Sequence, residues 1–137
     1  MKSVFVDTGY LLALEIVDDQ HHGRAVTHWR EFSRHLPKLI TTSYVFDEVT
    51  TFFNRRGHHD KAIKIGNQLL SSPSVQLIHI EPIQFTSAWD LFRQYQDKGF
   101  SFTDCLSFVV MRQRELDTAL TFDHHFTQAG YKVLPED

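Results

Sequence analysis

The chain has 137 residues, a formal net charge of −3 at pH 7 and a hydrophobic fraction of 42%. These values predict one globular domain over residues 1–137 and exclude a disordered chain. The single cysteine, Cys105, excludes an intramolecular disulfide and a cysteine-based zinc cluster. The single cysteine fits a reducing setting, so we expect a cytoplasmic protein. No apolar run reaches the roughly 18 residues that a membrane-spanning helix needs, so we expect no membrane segment.

Strands and helices are predicted to alternate along the chain. Short apolar runs indicate strands, and apolar residues at three- and four-residue spacing indicate helices. In chain order the predicted elements are a strand over 2–6, a helix from 10 to about 18, a helix over 20–36, a strand over 39–42, a helix over 44–56 with Ser43 as N-cap and Gly57 as C-cap, a helix over 59–70, a strand over 75–80, a helix over 82–96, a helix over 101–115, a strand over 118–122, a short helix after 126 and a strand over 131–134.

This alternation, without a run of hairpin turns, predicts a three-layer α/β fold built on a largely parallel sheet. The helix over 101–115 is apolar most of the way round, so we expect it to be central and buried.

Four acidic residues fall where strands are predicted to end or where the following helices begin. They are Asp7, Glu48, Asp104 and Asp123. Because open α/β sheets bind ligands at the carboxyl ends of their strands, the four side chains are expected to converge. Unpaired carboxylates that share a pocket repel each other and require a hard cation such as Mg²⁺ or Mn²⁺. Such a centre is suited to phosphoryl transfer.

Each acid also has a purely structural interpretation. Asp7 and Asp123 are good helix N-caps, and the segment 101–104 resembles a capping box. Glu48 and its neighbour Asp47 are both placed to compensate a helix dipole. Neighbours in a helix point about 100° apart, so only one of these two can face a shared pocket. The occurrence of all four acids together favours a common site over four separate caps.

Four segments of the chain resemble, in order and spacing, the four motifs of the PIN-domain nucleases. The segments are Val6-Asp7-Thr8, Ser43 with Glu48 five residues later, Ser101-Phe102-Thr103-Asp104, and Thr121-Phe122-Asp123-His124-His125-Phe126. The resemblance covers nearly the whole chain. The compact size is similar to that of the ribonuclease toxins of virulence-associated type II toxin–antitoxin pairs.

This resemblance implies a central, mostly parallel sheet of about five strands with helices on both faces. It implies hydrolysis of RNA phosphodiester bonds with one or two Mg²⁺ or Mn²⁺ ions, a homodimer, and a cognate antitoxin that docks a segment near the active site. The catalytic and metal-binding residues that it implies are Asp7, Glu48, Asp104 and Asp123. The supporting hydroxyl groups that it implies are those of Thr8, Ser101 and Thr121.

Two features of the sequence extend or depart from the family pattern. The family often has a second acid two residues after the fourth one, and this chain has His125 there. Whether His125 binds metal or only covers the site stays open, as does the role of His124. For RNA contacts we predict Arg55 and Arg56, which follow Glu48 near the end of its helix.

Three alternative functions remain. A phosphatase of the haloacid dehalogenase type needs a second Asp two residues after the first, and Gly9 at that position disfavours it. A non-catalytic PIN-like scaffold or RNA-binding protein is disfavoured by the four intact acids. A stand-alone PIN nuclease in RNA processing shares the chemistry and differs from a toxin only in its partner.

Overall fold

A computed structural model describes residues 3–35 and 37–136. They form a five-stranded parallel sheet in the order β3-β2-β1-β4-β5. The strands are β1 (Val4–Val6), β2 (Leu39–Thr42), β3 (Val75–Ile78), β4 (Thr118–Leu120) and β5 (Lys132–Leu134). The predicted parallel sheet of about five strands is confirmed.

Helices connect the strands. They are α1 (Thr8–Glu15), α2 (His22–Phe32), α3 (Ser43–Arg55), α4 (His59–Ser71), α5 (Pro82–Gln94), α6 (Phe102–Gln113) and α7 (His124–Gln128), with a 3₁₀ turn at Ser33–His35. Within the described ranges, no helix combines the length and apolarity required to cross a bilayer.

The sheet is covered by helices on both faces, as the alternation along β1 shows. Val4 and Val6 pack with Tyr10 of α1 and with the partly buried Trp29 of α2. Phe5 points to the opposite face and joins the core formed with α3, α5, α6 and α7. Successive side chains of a strand point to opposite faces, so both faces of β1 are buried. The predicted three-layer α/β architecture is confirmed.

Helix α6 lies in the middle of the larger core. Its residues from Asp104 to Met111 are all buried. A helix that is buried all round needs no polar face, which explains the continuous apolar run in its sequence. The predicted central helix is confirmed.

The strand order reverses between β1 and β4. The chain first places β2 and β3 on one side of β1 and later places β4 and β5 on the other. Connections that leave two neighbouring strands toward opposite sides open a crevice at the carboxyl edge of the sheet. Asp7 directly follows β1, and its N–H donates to the carbonyl of Leu120 at the end of β4 (3.0 Å). The crevice therefore lies between Asp7 and the segment after Leu120.

Several predicted element boundaries are wrong by one to three residues. The strand predicted over 118–122 ends at Leu120, and the one over 75–80 ends at Ile78. The early end of β4 leaves residues 121–123 outside the hydrogen-bonded ladder, so their side chains can turn toward the crevice. Helices α1, α5 and α6 are also shorter than predicted, and α7 starts earlier, at His124. Residues 2 and 36, which the prediction placed in a strand and a helix, lie outside the described ranges.

The N-cap of α3 is Thr42, and the prediction of Ser43 is wrong. The Thr42 hydroxyl accepts a hydrogen bond from the N–H of Val45 (3.2 Å). The Ser43 hydroxyl instead accepts from the N–H of Ile80 and ties α3 to the end of β3 (3.0 Å). Gly57 follows α3 with a φ of 78°, the left-handed conformation expected of a glycine at a helix end.

Candidate active site

One open cavity of about 390 Å³ lies at the carboxyl edge of the sheet. Its acidic lining residues come from four distant segments and are Asp7, Glu48, Asp104 and Asp123. Thr8 and Ser101 line it as well, whereas Thr121 is buried beside Asp7. The four predicted acids thus lie around one space.

Asp7 occupies the N-cap position of α1 but does not cap the helix, because its side chain makes no hydrogen bond to the first turn that would serve as a cap. Its Oδ2 instead accepts a hydrogen bond from the Thr121 hydroxyl (2.8 Å). The same hydroxyl accepts from the N–H of Asp123 (3.0 Å). The capping interpretation of Asp7 is therefore wrong, and Thr121 links the ends of β1 and β4.

The carboxyl of Asp7 is strongly perturbed. Burial raises its pKa from 3.8 to about 7. Hydrogen bonds from the Thr121 side chain and the Thr8 backbone lower the pKa in part, and the charges of Asp104 and Asp123 raise it again. A carboxylate in these surroundings gains a large electrostatic benefit from a nearby cation.

Asp104 forms the predicted capping box at the start of α6. Its Oδ2 accepts from the N–H of Ser101 (3.0 Å), and the Ser101 hydroxyl accepts from the N–H of Asp104 (2.9 Å). The structural interpretation is correct here, and it does not exclude a functional one. The cap holds the carboxylate at the cavity wall, where Oδ2 also lies 3.1 Å from Nδ1 of His125. Burial, followed by the charge of Asp123, raises the pKa of Asp104 against the hydrogen bonds from Ser101 and His125.

Asp123 caps α7 and faces the same histidine. Its Oδ1 accepts from the backbone N–H of His125 (2.9 Å) and lies 3.2 Å from Nδ1 of that ring. The imidazole of His125 therefore sits between the carboxylates of Asp104 and Asp123. The ring of His124 is 75% exposed, with its Nδ1 3.9 Å from Asp123.

Glu48 reaches the cavity from α3. Its Oε1 accepts a hydrogen bond from the Thr8 hydroxyl (2.6 Å). The neighbouring Asp47 is exposed and accepts a hydrogen bond from Thr51 of its own helix (3.2 Å). Glu48, and not Asp47, thus faces the pocket.

The donor atoms of this cavity fit a divalent cation. In the described part of the chain, Asp104, Asp123 and His125 each offer one ligand atom, and these atoms all lie within 4.8 Å of one another. Two ligands of one ion are at most about 4–5 Å apart when each bond is about 2.0–2.6 Å long. Asp7 and Glu48 line the same cavity outside this tight group. The sequence pattern leaves the role of His125 open, and its place two residues after Asp123 is the only signal for it.

Arg55 and Arg56 do not line the cavity. Arg55 lies seven positions after Glu48 in α3, which corresponds to about 10 Å along the helix axis. The guanidinium of Arg56 lies over the ring of Phe52, 3.6 Å from its centroid. A contact of this arginine pair with RNA stays a prediction.

Phe122 is a cavity residue that sequence reasoning did not single out. It lines the acidic cavity and stacks with His21 on α2's N-terminal side (4.3 Å between ring centroids) and with Tyr10 of α1 (5.9 Å). These contacts anchor the segment between Thr121 and Asp123 against the helices on the Val4 face of the sheet.

Comparison with known proteins gives matches over nearly the whole chain. The PIN domain family matches residues 4–131. The 23S rRNA-specific endonuclease VapC20 of Mycobacterium tuberculosis (strain CDC 1551 / Oshkosh) is 33% identical over 134 residues, which are 97% of this chain and 99% of that protein. The crystal structure of M. tuberculosis VapC20, described as a sarcin-ricin loop cleaving toxin, matches with a TM-score of 0.83 and 32% identity, over 93% of this chain and 95% of that one. A toxin–antitoxin complex from Klebsiella pneumoniae matches with a TM-score of 0.65 and 13% identity, over 96% of this chain and 95% of the matched one, a likeness of fold alone.

Proposed function

The chain belongs to the PIN-domain family, and on this premise we propose that it is a divalent-metal-dependent endoribonuclease consisting of a single nuclease domain over residues 1–137. The observation that carries the proposal is the convergence of four carboxylates in one cavity at the point where the strand order reverses. Open α/β sheets place their ligands at this point. The catalytic residues of the proposal are Asp7, Glu48, Asp104 and Asp123.

The electrostatics of the cavity support a metal-dependent reaction. Carboxylates and a phosphodiester carry charges of the same sign, so a cation-free cavity would repel RNA. The residues that would hold Mg²⁺ or Mn²⁺ are the same four acids. The chemistry that such an ion supplies when bound is polarisation of the scissile phosphate and activation of water.

The neighbouring hydroxyl groups and backbone N–H groups orient the carboxylates. Thr121 donates to Asp7, Thr8 donates to Glu48, and the N–H of Ser101 donates to Asp104. Each bond directs one carboxylate before substrate arrives, and such support is worth about 10- to 100-fold in metal affinity or activity in comparable sites.

We further propose that the protein is the toxin of a toxin–antitoxin pair and that ribosomal RNA is its substrate. The support is the 33% identity to VapC20, a 23S rRNA-specific endonuclease, over almost the full length of both chains. Because VapC20 is a toxin that cleaves the sarcin-ricin loop, this loop is the first RNA to test. The alternative, a stand-alone nuclease of RNA processing, predicts no binding partner that blocks cleavage.

An apolar cavity of about 480 Å³ is our candidate site for the antitoxin. It lies between α1, α2 and α4 and is lined by residues such as Leu14, Trp29 and Leu69. Tyr10 also lines it and stacks on Phe122 of the acidic cavity, so the two spaces are neighbours. An amphipathic helix of a partner could bury its apolar face here, next to the active site.

The exposed face of α5 is our candidate surface for the homodimer. Its exposed large side chains are Ile83, Phe85, Trp89 and Phe92, and the exposed Tyr95 directly follows the helix. The rings of Phe85, Trp89 and Phe92 each contact Phe102, so these side chains form one contiguous apolar patch. Exposed apolar patches mark association sites.

The proposed activity is tested by incubating the purified protein with ribosomal RNA. We expect cleavage with Mg²⁺ or Mn²⁺, its loss with EDTA, and its loss in Asp7→Asn and Asp104→Asn. Asn keeps an oxygen that can accept the hydrogen bonds from Thr121 and Ser101, so both variants should fold. Asp47→Asn, an exposed acid beside Glu48, is the matched control and should cleave like the parent. Cleavage in EDTA, or an Asp7→Asn variant as active as the parent, would contradict the proposal.

A further inference from the structure

We propose that His125 is a ligand of the divalent cation and that its imidazole makes this site favour Mn²⁺ over Mg²⁺. The inference rests on the proposed function, since it concerns the metal of that site. It goes beyond the resemblance, which implies carboxylate ligands only. At the position of His125 the family often has an acid and not a histidine.

The first observation is the spacing of the donor atoms. Nδ1 of His125 lies 3.1 Å from Oδ2 of Asp104 and 3.2 Å from Oδ1 of Asp123. In an octahedral site with bonds of about 2.1 Å, neighbouring ligand atoms are about 3.0 Å apart. The three atoms thus have the separations of adjacent corners of one coordination sphere. The same separations are hydrogen-bond lengths, so the competing role is that the ring only positions the two carboxylates.

The second observation is that the ring is held in this orientation. The backbone N–H of His125 is tied to Asp123, and the ring of Phe100 packs edge-on against the imidazole at 5.4 Å. Gly99 borders the ring on its Nε2 side at ordinary contact distance. The side chain of His125 is only 21% exposed. A donor atom fixed in this way is prepared for a ligand without rearrangement.

The identity of the donor predicts the metal preference. Mg²⁺ selects oxygen ligands, whereas imidazole nitrogen suits transition metals, whose affinity for nitrogen donors exceeds that of Mg²⁺. A site with one imidazole among carboxylates is therefore expected to bind Mn²⁺ more tightly relative to Mg²⁺ than the all-carboxylate version. Replacing His125 by Asp should lower the ratio of Mn²⁺ to Mg²⁺ affinity by about tenfold or more.

The decisive measurement is pulsed electron paramagnetic resonance of the Mn²⁺-loaded protein. We expect modulation of the spin echo by a directly coordinated imidazole nitrogen, and a change of its frequency when the protein is labelled with ¹⁵N-histidine. The nitrogen signal should persist in His124→Gln, the matched control, and disappear in His125→Gln and His125→Asp. The labelled parent needs no substitution, so the test does not depend on how the variants fold.

A parent protein without a nitrogen signal, or a signal that survives in His125→Gln, overturns the proposal. Calorimetric titration with Mn²⁺ and Mg²⁺ is the second readout, and an unchanged affinity ratio in a folded His125→Asp variant also overturns it. The outcomes distinguish a failure of this proposal from a failure of the nuclease proposal. EDTA-sensitive cleavage without a nitrogen signal would retain the nuclease and reject the ligand, whereas a nitrogen signal in a protein that cuts no RNA would retain the ligand and reject the nuclease.

Discussion

Asp7 and Asp104 lie almost fully buried, with 8% and 7% of their surfaces exposed, and each has a carboxyl whose pKa is raised chiefly by burial. At the scale of single residues, burial of these two carboxyls lowers the stability of the folded protein when no metal is bound. A buried acid with a raised pKa binds its proton more tightly in the folded than in the unfolded state. The two carboxyls should therefore destabilise the metal-free protein most at a pH where both are ionised.

This cost predicts that Asp7→Asn stabilises the metal-free protein. The folded-state pKa of Asp7, about 7, lies above its ordinary value of 3.8. The penalty is therefore complete above pH 7 and is relieved as the pH falls through 7 toward 4. In EDTA at pH 8 we expect the variant to gain about 1–4 kcal/mol in the free energy of unfolding.

Urea unfolding of parent and variant from pH 5 to pH 8 measures this gain. The difference between the two proteins should shrink as the pH falls, because the parent recovers its proton at Asp7. Asp47→Asn, at an exposed position, should match the parent throughout. A variant less stable than the parent at pH 8 would contradict the burial cost that is assigned to the ionised carboxyl of Asp7.

Thr121 is predicted to act through its hydroxyl. The side chain is 2% exposed, donates to Asp7 and accepts from the N–H of Asp123. Thr121→Val keeps the shape but leaves that partly buried N–H without its acceptor, at a cost of about 1 kcal/mol. We expect Mn²⁺ affinity to fall about 10- to 100-fold by calorimetry. Thr121→Ser restores the hydroxyl and should restore affinity, whereas a Thr121→Val variant with parental affinity would reject the role.

At the scale of elements, the start of α6 combines a helix cap with a carboxylate of the proposed active site. Ser101 and Asp104 satisfy each other's backbone N–H groups, and this exchange directs the carboxylate toward His125. The capping and the functional interpretation of Asp104 are therefore compatible, because one set of hydrogen bonds serves both.

This coupling predicts two losses in Ser101→Ala. Loss of the cap should lower the free energy of unfolding by about 1 kcal/mol. Cleavage should fall as well, since Asp104 loses part of its restraint, and Ser101→Thr should restore both. Gln84→Ala is the control, because Gln84 accepts from the N–H of Glu81 at the start of α5, away from the site (3.0 Å). It should destabilise the protein without reducing cleavage; equal losses of cleavage in both variants would show that stability alone is responsible.

At the scale of the whole molecule, the exposed face of α5 predicts a homodimer. Phe85 is 46% exposed and Trp89 is 50% exposed, and both rings contact the ring of Phe102. We expect light scattering to give the mass of a dimer for the parent and of a monomer for a variant with Phe85→Glu and Trp89→Glu. Val17→Glu replaces another exposed apolar residue (77% exposed) outside α5 and should leave the dimer intact. A parent that is monomeric at high concentration would contradict this surface assignment.

The general architecture was accessible from the sequence because it depends on local patterns. The short apolar runs at β1 and β2 and the continuous apolar run of α6 each predict an element, and their alternation predicts the parallel sheet. The position of Asp7 after β1 was accessible for the same reason. The sequence does not show that the Asp7 side chain leaves its helix uncapped, because Thr121, which donates the hydrogen bond to it instead, lies 114 positions away in the chain.

The placement of His125 was beyond sequence reasoning for a related physical cause. Its ring lies between Asp104 and Asp123 because β4 ends early, at Leu120, and α7 begins at His124 with Asp123 as its cap. A shift of one residue in that helix would turn the side chain by about 100° and exchange the roles of His124 and His125. Element boundaries are the least predictable part of a sequence pattern, so the orientation of this ring required the structure.

The central claim is that the acidic cavity binds a divalent cation. The most direct measurement is an anomalous difference map from crystals of the protein soaked in Mn²⁺. We predict an anomalous peak inside the cavity, within about 2.0–2.6 Å of carboxylate oxygens of Asp104 and Asp123 and adjacent to Asp7. A map with no peak in the cavity at saturating Mn²⁺, or with Mn²⁺ bound only elsewhere, would contradict it.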